Sequence, residues 1–328
     1  GIRGLVRSRG LGDVYKRQTR DRYTSASLLE IPHPNRPRVR VLVDCGEAAQ
    51  HRLFAARIPP NSIDAVCCTH LHGDHVLGLP GLLGTMGMDD RRRPLRLIGP
   101  TGLSDLIDGL AATPALTITI PLELEEHDPA VLSGQALTHL TPISEVSVAI
   151  APLDHRVPTI GFRFEAPDAR GSLDVARLEQ LGVPHGPLLG RLQRGEPVSA
   201  PDGSTIWASD VTGPVRAGSS VAFAYDTRPC EGARALAAGV DLLVHEATFA
   251  RTDASLADKH GHSTALDAAH VAEAAHAKRL LLTHFSSRYD TIDGLLDEAQ
   301  ARFPETSVAQ ELLWVDVIRP GGSTVAEG

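Results

Sequence analysis

The stretch Thr69-His70-Leu71-His72-Gly73-Asp74-His75 decides how this chain is read. Three histidines and one aspartate fall within six residues, directly after a short apolar run at 65–68. Neutral imidazole and carboxylate are the ligands that suit Zn²⁺ and related divalent ions. The spacing lets His70 and His72 address one ion while Asp74 and His75 reach a second. Four residues do not complete two sites, because zinc takes about four ligands with water or substrate in an open position. The rest of the chain has to supply more.

Working outward, residues 38–43, 95–98, 146–151, 160–165, 220–224, 242–246, 279–283 and 313–318 read as strands. Helical periods lie at 103–110, 231–238, 263–275 and 292–302, with Ser263 as a cap and Asp267 four residues on. Strands interleaved with helices predict an α/β layered domain. Polar and titratable residues stand at strand ends, where ligand sites of α/β proteins gather: Asp44, His70, His155, Asp226, His245 and His284. Taken jointly, His155, Asp226 and His284 complete a seven-ligand site for two metals.

The length of 328 residues is within reach of one large domain, and 42% hydrophobic against 22% charged residues excludes wholesale disorder. No apolar run approaches the roughly 18 residues of a membrane span. Four cysteines do not make a disulfide framework. Cys45, Cys67 and Cys68 read as buried small hydrophobes, and Cys230 as structural at a helix start. Residues 1–18, GIRGLVRSRGLGDVYKRQ, are basic and glycine-rich and lack the apolar centre of a signal peptide. Residues 8–18 look like the conceptual translation of a sequencing-library adapter. The expectation is a processing scar over 1–18, followed by a domain over 19–328 that lacks its natural opening strand. Without the five basic residues and one acid of that segment, the formal charge of −8 becomes −12. A negative total argues against a broadly basic nucleic-acid surface, although metal ions and local arginines can supply attraction. Residues 170–203, rich in Gly, Pro and Leu, read as an excursion from the layers.

The H-x-H-x-D-H motif, followed in order by His155, Asp226 and His284, resembles the metallo-β-lactamase superfamily. The resemblance sharpens to ribonuclease Z through Asp44-Cys45-Gly46-Glu47, Pro152-Leu153-Asp154-His155, His245-Glu246-Ala247-Thr248 and Gly261-His262-Ser263-Thr264. It implies a four-layer αββα sandwich with two Zn²⁺ per subunit. His70, His72 and His155 would form one zinc site, Asp74, His75 and His284 the other, and Asp226 would bridge them. The implied reaction is phosphodiester hydrolysis of precursor tRNA, removing the 3′ trailer and leaving a 3′-hydroxyl, by a cytoplasmic homodimer. His262 with Glu246 resembles the pair that protonates the leaving oxygen. His245 is a further catalytic candidate, and Asp74 is a candidate for orienting the attacking water as well as a ligand. Gly182, Pro184, Gly186 and Pro187 resemble the tip of the tRNA-gripping arm. Arg91, Arg92, Arg93 and Arg96 are a candidate phosphate patch. Departures from the family pattern are Ala48-Ala49 and Tyr225, the latter large enough to crowd the site. The enzyme alternative is a relative hydrolysing small phosphodiesters or sulfate esters. A metal-bound tRNA-binding scaffold is the non-enzyme alternative.

Overall fold

The computed structural model describes residues 6–12, 23–33, 36–112, 117–132, 137–168, 171–184, 186–215 and 217–317. Two seven-stranded sheets carry the fold. The first is formed by Val6–Gly12 (β1), Ala26–His33 (β2), Arg36–Val43 (β3), Ala65–Cys67 (β4), Leu95–Pro100 (β5) and Leu122–His127 (β6). The second contains Thr138–Ile143 (β7), Val146–Pro152 (β8) and Ile160–Glu165 (β9). A small ribbon, Val198–Ser199 (β10) with Thr205–Ile206 (β11), interrupts it in sequence. Ser220–Ala224 (β12), Leu242–Glu246 (β13), Leu280–Thr283 (β14) and Thr306–Val308 (β15) complete the second sheet, and Trp314–Val317 (β16) returns to the edge of the first.

Side-chain alternation sorts each strand between two environments. Val39, Val41 and Val43 of β3 face the space between the sheets, together with Phe162, Phe164, Phe223 and Tyr225. Leu42 points the other way, under helices Ala49–Ala55 and Leu79–Met88. On the second sheet, Leu242 and Val244 face inward while Leu243 packs under helices Glu231–Ala237 and Ala265–Ala274. The result is the four-layer αββα sandwich that the sequence led us to expect. Among the described residues no helix is long and apolar enough to cross a membrane.

Parallel pairing of β3, β4 and β5 brings their C-terminal ends to one pole of the first sheet. In the second sheet β12, β13 and β14 run parallel, and β8 shares their direction because both β8 and β12 are antiparallel to β9. The ends of β4, β8, β12, β13 and β14 are where the chemistry-bearing residues follow.

Three expectations change. Val6–Gly12 is a strand, pairing antiparallel with both β2 and β16, where the sequence led us to expect no opening strand. Such a ladder draws on backbone N–H and C=O groups that any extended segment presents. The excursion reaches past residue 203: Ile206 and Val211 fill its small core with Leu178, Leu192 and Val198, and a bridge between Leu173 and Thr212 closes its base. The cap of helix Ala265–Ala274 is Thr264, whose hydroxyl accepts from Asp267 N–H at 3.1 Å, while Ser263 donates to Thr227 O at 2.6 Å.

The aromatic stack between the sheets sets the distance between the two halves of the site. Phe223 is wholly buried and meets both Phe164 and Tyr225 edge-on, with centroids 5.9 Å apart in each case. Phe223→Ala is expected to cost about 3–5 kcal/mol, read by chemical denaturation at fixed metal concentration.

Candidate metal centre

The side chains at these strand ends converge on Asp226, the second residue after β12. Its Oδ2 lies 3.6 Å from His70 Nε2 and 3.8 Å from His155 Nε2. Those nitrogens are 3.0 and 3.4 Å from His72 Nδ1. Its Oδ1 lies 2.9 Å from His284 Nε2 and 3.5 Å from His75 Nε2, which is itself 3.7 Å from Asp74 Oδ2. One carboxylate oxygen thus faces His70, His72 and His155, and the other faces Asp74, His75 and His284. The donor atoms of each group lie close enough to share one ion.

Three of the residues that shape this pole sit in the left-handed region, with φ of 59° at Asp44, 38° at Asp226 and 59° at His284. Each follows an apolar strand, and the turn swings its side chain toward the pole. Non-glycine residues held this way are strained, and such strain gathers at functional sites. The loops also approach closely. Gly78 N–H bonds Cys45 O at 2.8 Å, and a Cβ on Gly78 would lie 2.0 Å from Gly46 O.

Electrostatics match the geometry. Burial by itself would raise the Asp226 carboxyl, but the imidazoles of His284, His75 and His70 hold it well below the usual carboxylate range. Burial pushes His70 well below the ordinary histidine value and His155 down to about 4. Burial opposes protonation of His75 too, but the Asp226 and Asp44 carboxylates prevail and raise it to about 9.

A divalent cation fits this donor set. Asp226 Oδ1 and His284 Nε2 are buried 2.9 Å apart, yet neither has a partner at hydrogen-bonding angles. Buried polar atoms without partners are costly, and a cation between the donor groups satisfies them. The outward nitrogens are held by the protein, as metal-binding histidines require. His75 Nδ1 meets Asp44 Oδ2 at 2.6 Å, His155 Nδ1 meets Gly261 O at 2.6 Å, and His284 Nδ1 meets Thr248 Oγ1 at 2.7 Å. The sequence reading placed Asp44 among the strand-end residues without assigning it a function, and gave Thr248 none. An acid ending an apolar strand was the available signal for Asp44.

His262 borders the centre, its ring 5.0 Å from that of His155 and 5.3 Å from that of His284. Its Nδ1 lies 2.9 Å from Glu246 Oε1. Glu246 is fully buried, which alone would raise its carboxyl, but His262 beside it lowers it instead. His245 is not part of this group. Strand alternation gives it the face of Leu243, under the helices, where Nδ1 meets Glu246 O at 2.7 Å and burial lowers its pKa. Adjacent residues of one strand cannot both face the pole.

Tyr225 meets the ring of His75 edge-on, with centroids 6.5 Å apart. Its ring is buried between the sheets, with Oη 2.7 Å from Ser27 Oγ. The arginine run makes contacts within the protein. Arg91 is buried and donates to the carbonyls of Asn61, Ile63, Arg93 and Pro94. Arg93 is held by Asp64, Arg96 by Glu125 and Arg92 by Asp90. Arg96 pairs in register with Ala65, the first residue of β4, at the strand ends remote from the metal loop. In the excursion, Gly182 and Gly186 have φ of 68° and 144° and flank the turn before helix Pro187–Arg194, with Pro184 exposed.

Two family models match parts of the chain: the beta-lactamase superfamily domain over residues 193–285, and the anti-Pycsar protein Apyc1 over residues 10–110. The paired sheets and the His/Asp cluster at their C-terminal pole define a protein of the metallo-β-lactamase superfamily. Ribonuclease Z of Salinibacter ruber is 43% identical over 92% of this chain and 91% of its own length. That of Bacillus licheniformis is 40% identical over 82% and 85%. The structure of human short-form tRNase Z aligns over 95% of this chain and 100% of its own, with a TM-score of 0.68 at 24% identity, a likeness of fold. The chain belongs to the ribonuclease Z family.

His75 donates Nδ1–H to Asp44, so the proton lost near pH 9 is the one on Nε2, the atom facing Asp74 and Asp226. A metal has to displace it. Apparent divalent-metal affinity is therefore expected to climb by about tenfold per pH unit below 9. Chelator-competition titrations between pH 6.5 and 8.5 check this, and a flat profile contradicts it.

Proposed function

We propose that this chain is a two-zinc endoribonuclease that removes the 3′ trailer from precursor tRNA. The observation that carries the reading is Asp226, whose two carboxylate oxygens face two separate ligand groups beside the Glu246–His262 pair. Membership of the ribonuclease Z family supports the substrate. Such enzymes work where precursor tRNA is made, so the reading places the protein in the cytoplasm, and family resemblance supports a homodimer.

His70, His72 and His155 would hold one ion, Asp74, His75 and His284 the other, and Asp226 both. Bound zinc supplies Lewis-acid stabilisation of phosphate charge and a water acidic enough to attack near neutral pH. The chain's own residues do the rest. Asp74, the most exposed of the carboxylates here, orients the attacking water from the loop side. Glu246 holds His262 by Nδ1, which favours the charged ring. As the P–O3′ bond breaks, the other ring nitrogen of His262 passes its proton to the 3′-oxygen. The products are a tRNA ending in a 3′-hydroxyl and a trailer beginning with a 5′-phosphate.

The excursion supports tRNA over a small ester, because it is a self-packed lobe carrying an exposed turn at Gly182, Pro184, Gly186 and Pro187. RNA is gripped through shape, phosphate and 2′-hydroxyl contacts, which backbone amides of such a turn can make.

His262→Ala is expected to lower kcat for precursor tRNA by about 10²–10⁴-fold with metal content unchanged. Single-turnover cleavage beside metal analysis checks it. Replacing residues 173–212 by a short glycine linker is expected to abolish precursor tRNA cleavage and spare hydrolysis of a small aryl phosphodiester. A wild-type protein that hydrolyses the small diester quickly but leaves precursor tRNA uncut would count for the small-ester alternative.

A further inference from the structure

One hydroxyl joins the ligand set to the proton-transfer pair. Thr248 Oγ1 donates to Glu246 Oε2 at 2.5 Å and lies 2.7 Å from His284 Nδ1 and 3.4 Å from His262 Nδ1. Glu246 also receives Thr227 N–H at 2.6 Å and Thr248 N–H at 3.3 Å. Surrounded by donors, this carboxylate acts only as an acceptor. The single hydroxyl proton of Thr248 is therefore committed to Glu246, and Oγ1 has only lone pairs left for its neighbours. His284 Nδ1 must then carry a hydrogen and donate it. In a neutral imidazole that leaves Nε2 with its lone pair, and Nε2 is the atom 2.9 Å from Asp226 Oδ1.

The same wiring recurs on the first sheet. Thr69 Oγ1 donates to Asp44 Oδ2 at 2.9 Å and lies 3.1 Å from His70 Nδ1. His70 Nε2 is again left facing the pole.

We propose that Thr248 is a positioning residue that sets the tautomer of His284, so that one buried carboxylate, through one hydroxyl, presents a metal-binding lone pair while also holding His262. The inference rests on the two-metal reading of the site. It makes Glu246 serve both halves of the chemistry: directly through His262, and through Thr248 to the ligand His284.

The test compares Thr248→Val, which keeps the shape and removes the hydroxyl, with Thr248→Ser, which keeps the hydroxyl. Zinc affinity is measured by chelator competition, with precursor tRNA cleavage in parallel. Losing a hydrogen-bond partner behind a metal ligand costs about 10–100-fold in affinity, so T248V is expected to weaken zinc binding by that factor and T248S to stay within about threefold of wild type. Wild-type affinity in T248V, or equal losses in both variants, overturns the proposal. Should T248V not fold, ¹⁵N spectra of the zinc-loaded wild type decide. A protonated Nδ1 on His284 supports the proposal, and a protonated Nε2 overturns it. A wild type that takes up no divalent metal sinks the reading beneath the inference, whereas a metal-binding wild type with an equally competent T248V sinks the inference alone.

Discussion

The fold is organised around one buried carboxylate. Asp226 is 2% exposed and has five imidazoles within 4 Å of its oxygens, from His70, His75, His155, His262 and His284. A carboxylate taken out of water is tolerated only when paired. Here the pairing comes from two sheets at once, since His70 and His75 follow β4 while His155 and His284 follow strands of the second sheet. The inter-sheet core and the metal pole are therefore coupled, and a shift in sheet separation changes the distances from Asp226 to His70 and His75. The phenylalanine stack beneath the pole fixes that separation, and Tyr225 is part of it.

A second constraint is that imidazoles used as ligands must present lone pairs rather than N–H groups. The protein meets it with acceptors placed behind the rings: Asp44 behind His75, Thr69 behind His70, Gly261 O behind His155 and Thr248 behind His284. Two of these acceptors are hydroxyls tied to buried acids, which fixes their direction. The candidate ligands sit on the turns that follow the strands and on the short helix Gly73–Val76. The strained backbone at Asp44, Asp226 and His284 is held by this dense network.

Much of this was legible in the residues. Alternating apolar runs that stop at Asp or His located the strands and the pole together, because parallel strands collect their ends on one side. Dense ligand spacing at 70–75 marked the first half of the centre. Less was legible where a residue's role depends on facing. His245 and Glu246 are neighbours in sequence, but a period of two sends them to opposite faces of β13. Arg91 looks like surface charge in a run of three arginines, and only the fold shows its guanidinium clamping carbonyls beside Asn61 and Ile63. The reach of the excursion was underestimated because Ile206 and Val211 complete a core too small to leave a periodic signal. Thr69 and Thr248 are ordinary threonines until the acid behind each is placed in space.

In the proposed reading Asp226 stands between two metal ions. Anomalous diffraction from crystals of the zinc-loaded protein, measured on both sides of the zinc absorption edge, tests it directly. Two peaks are expected, one within ligand distance of His70, His72 and His155 and the other within reach of Asp74, His75 and His284, with an Asp226 oxygen on each. A single peak, or two peaks that do not share Asp226, would contradict that reading.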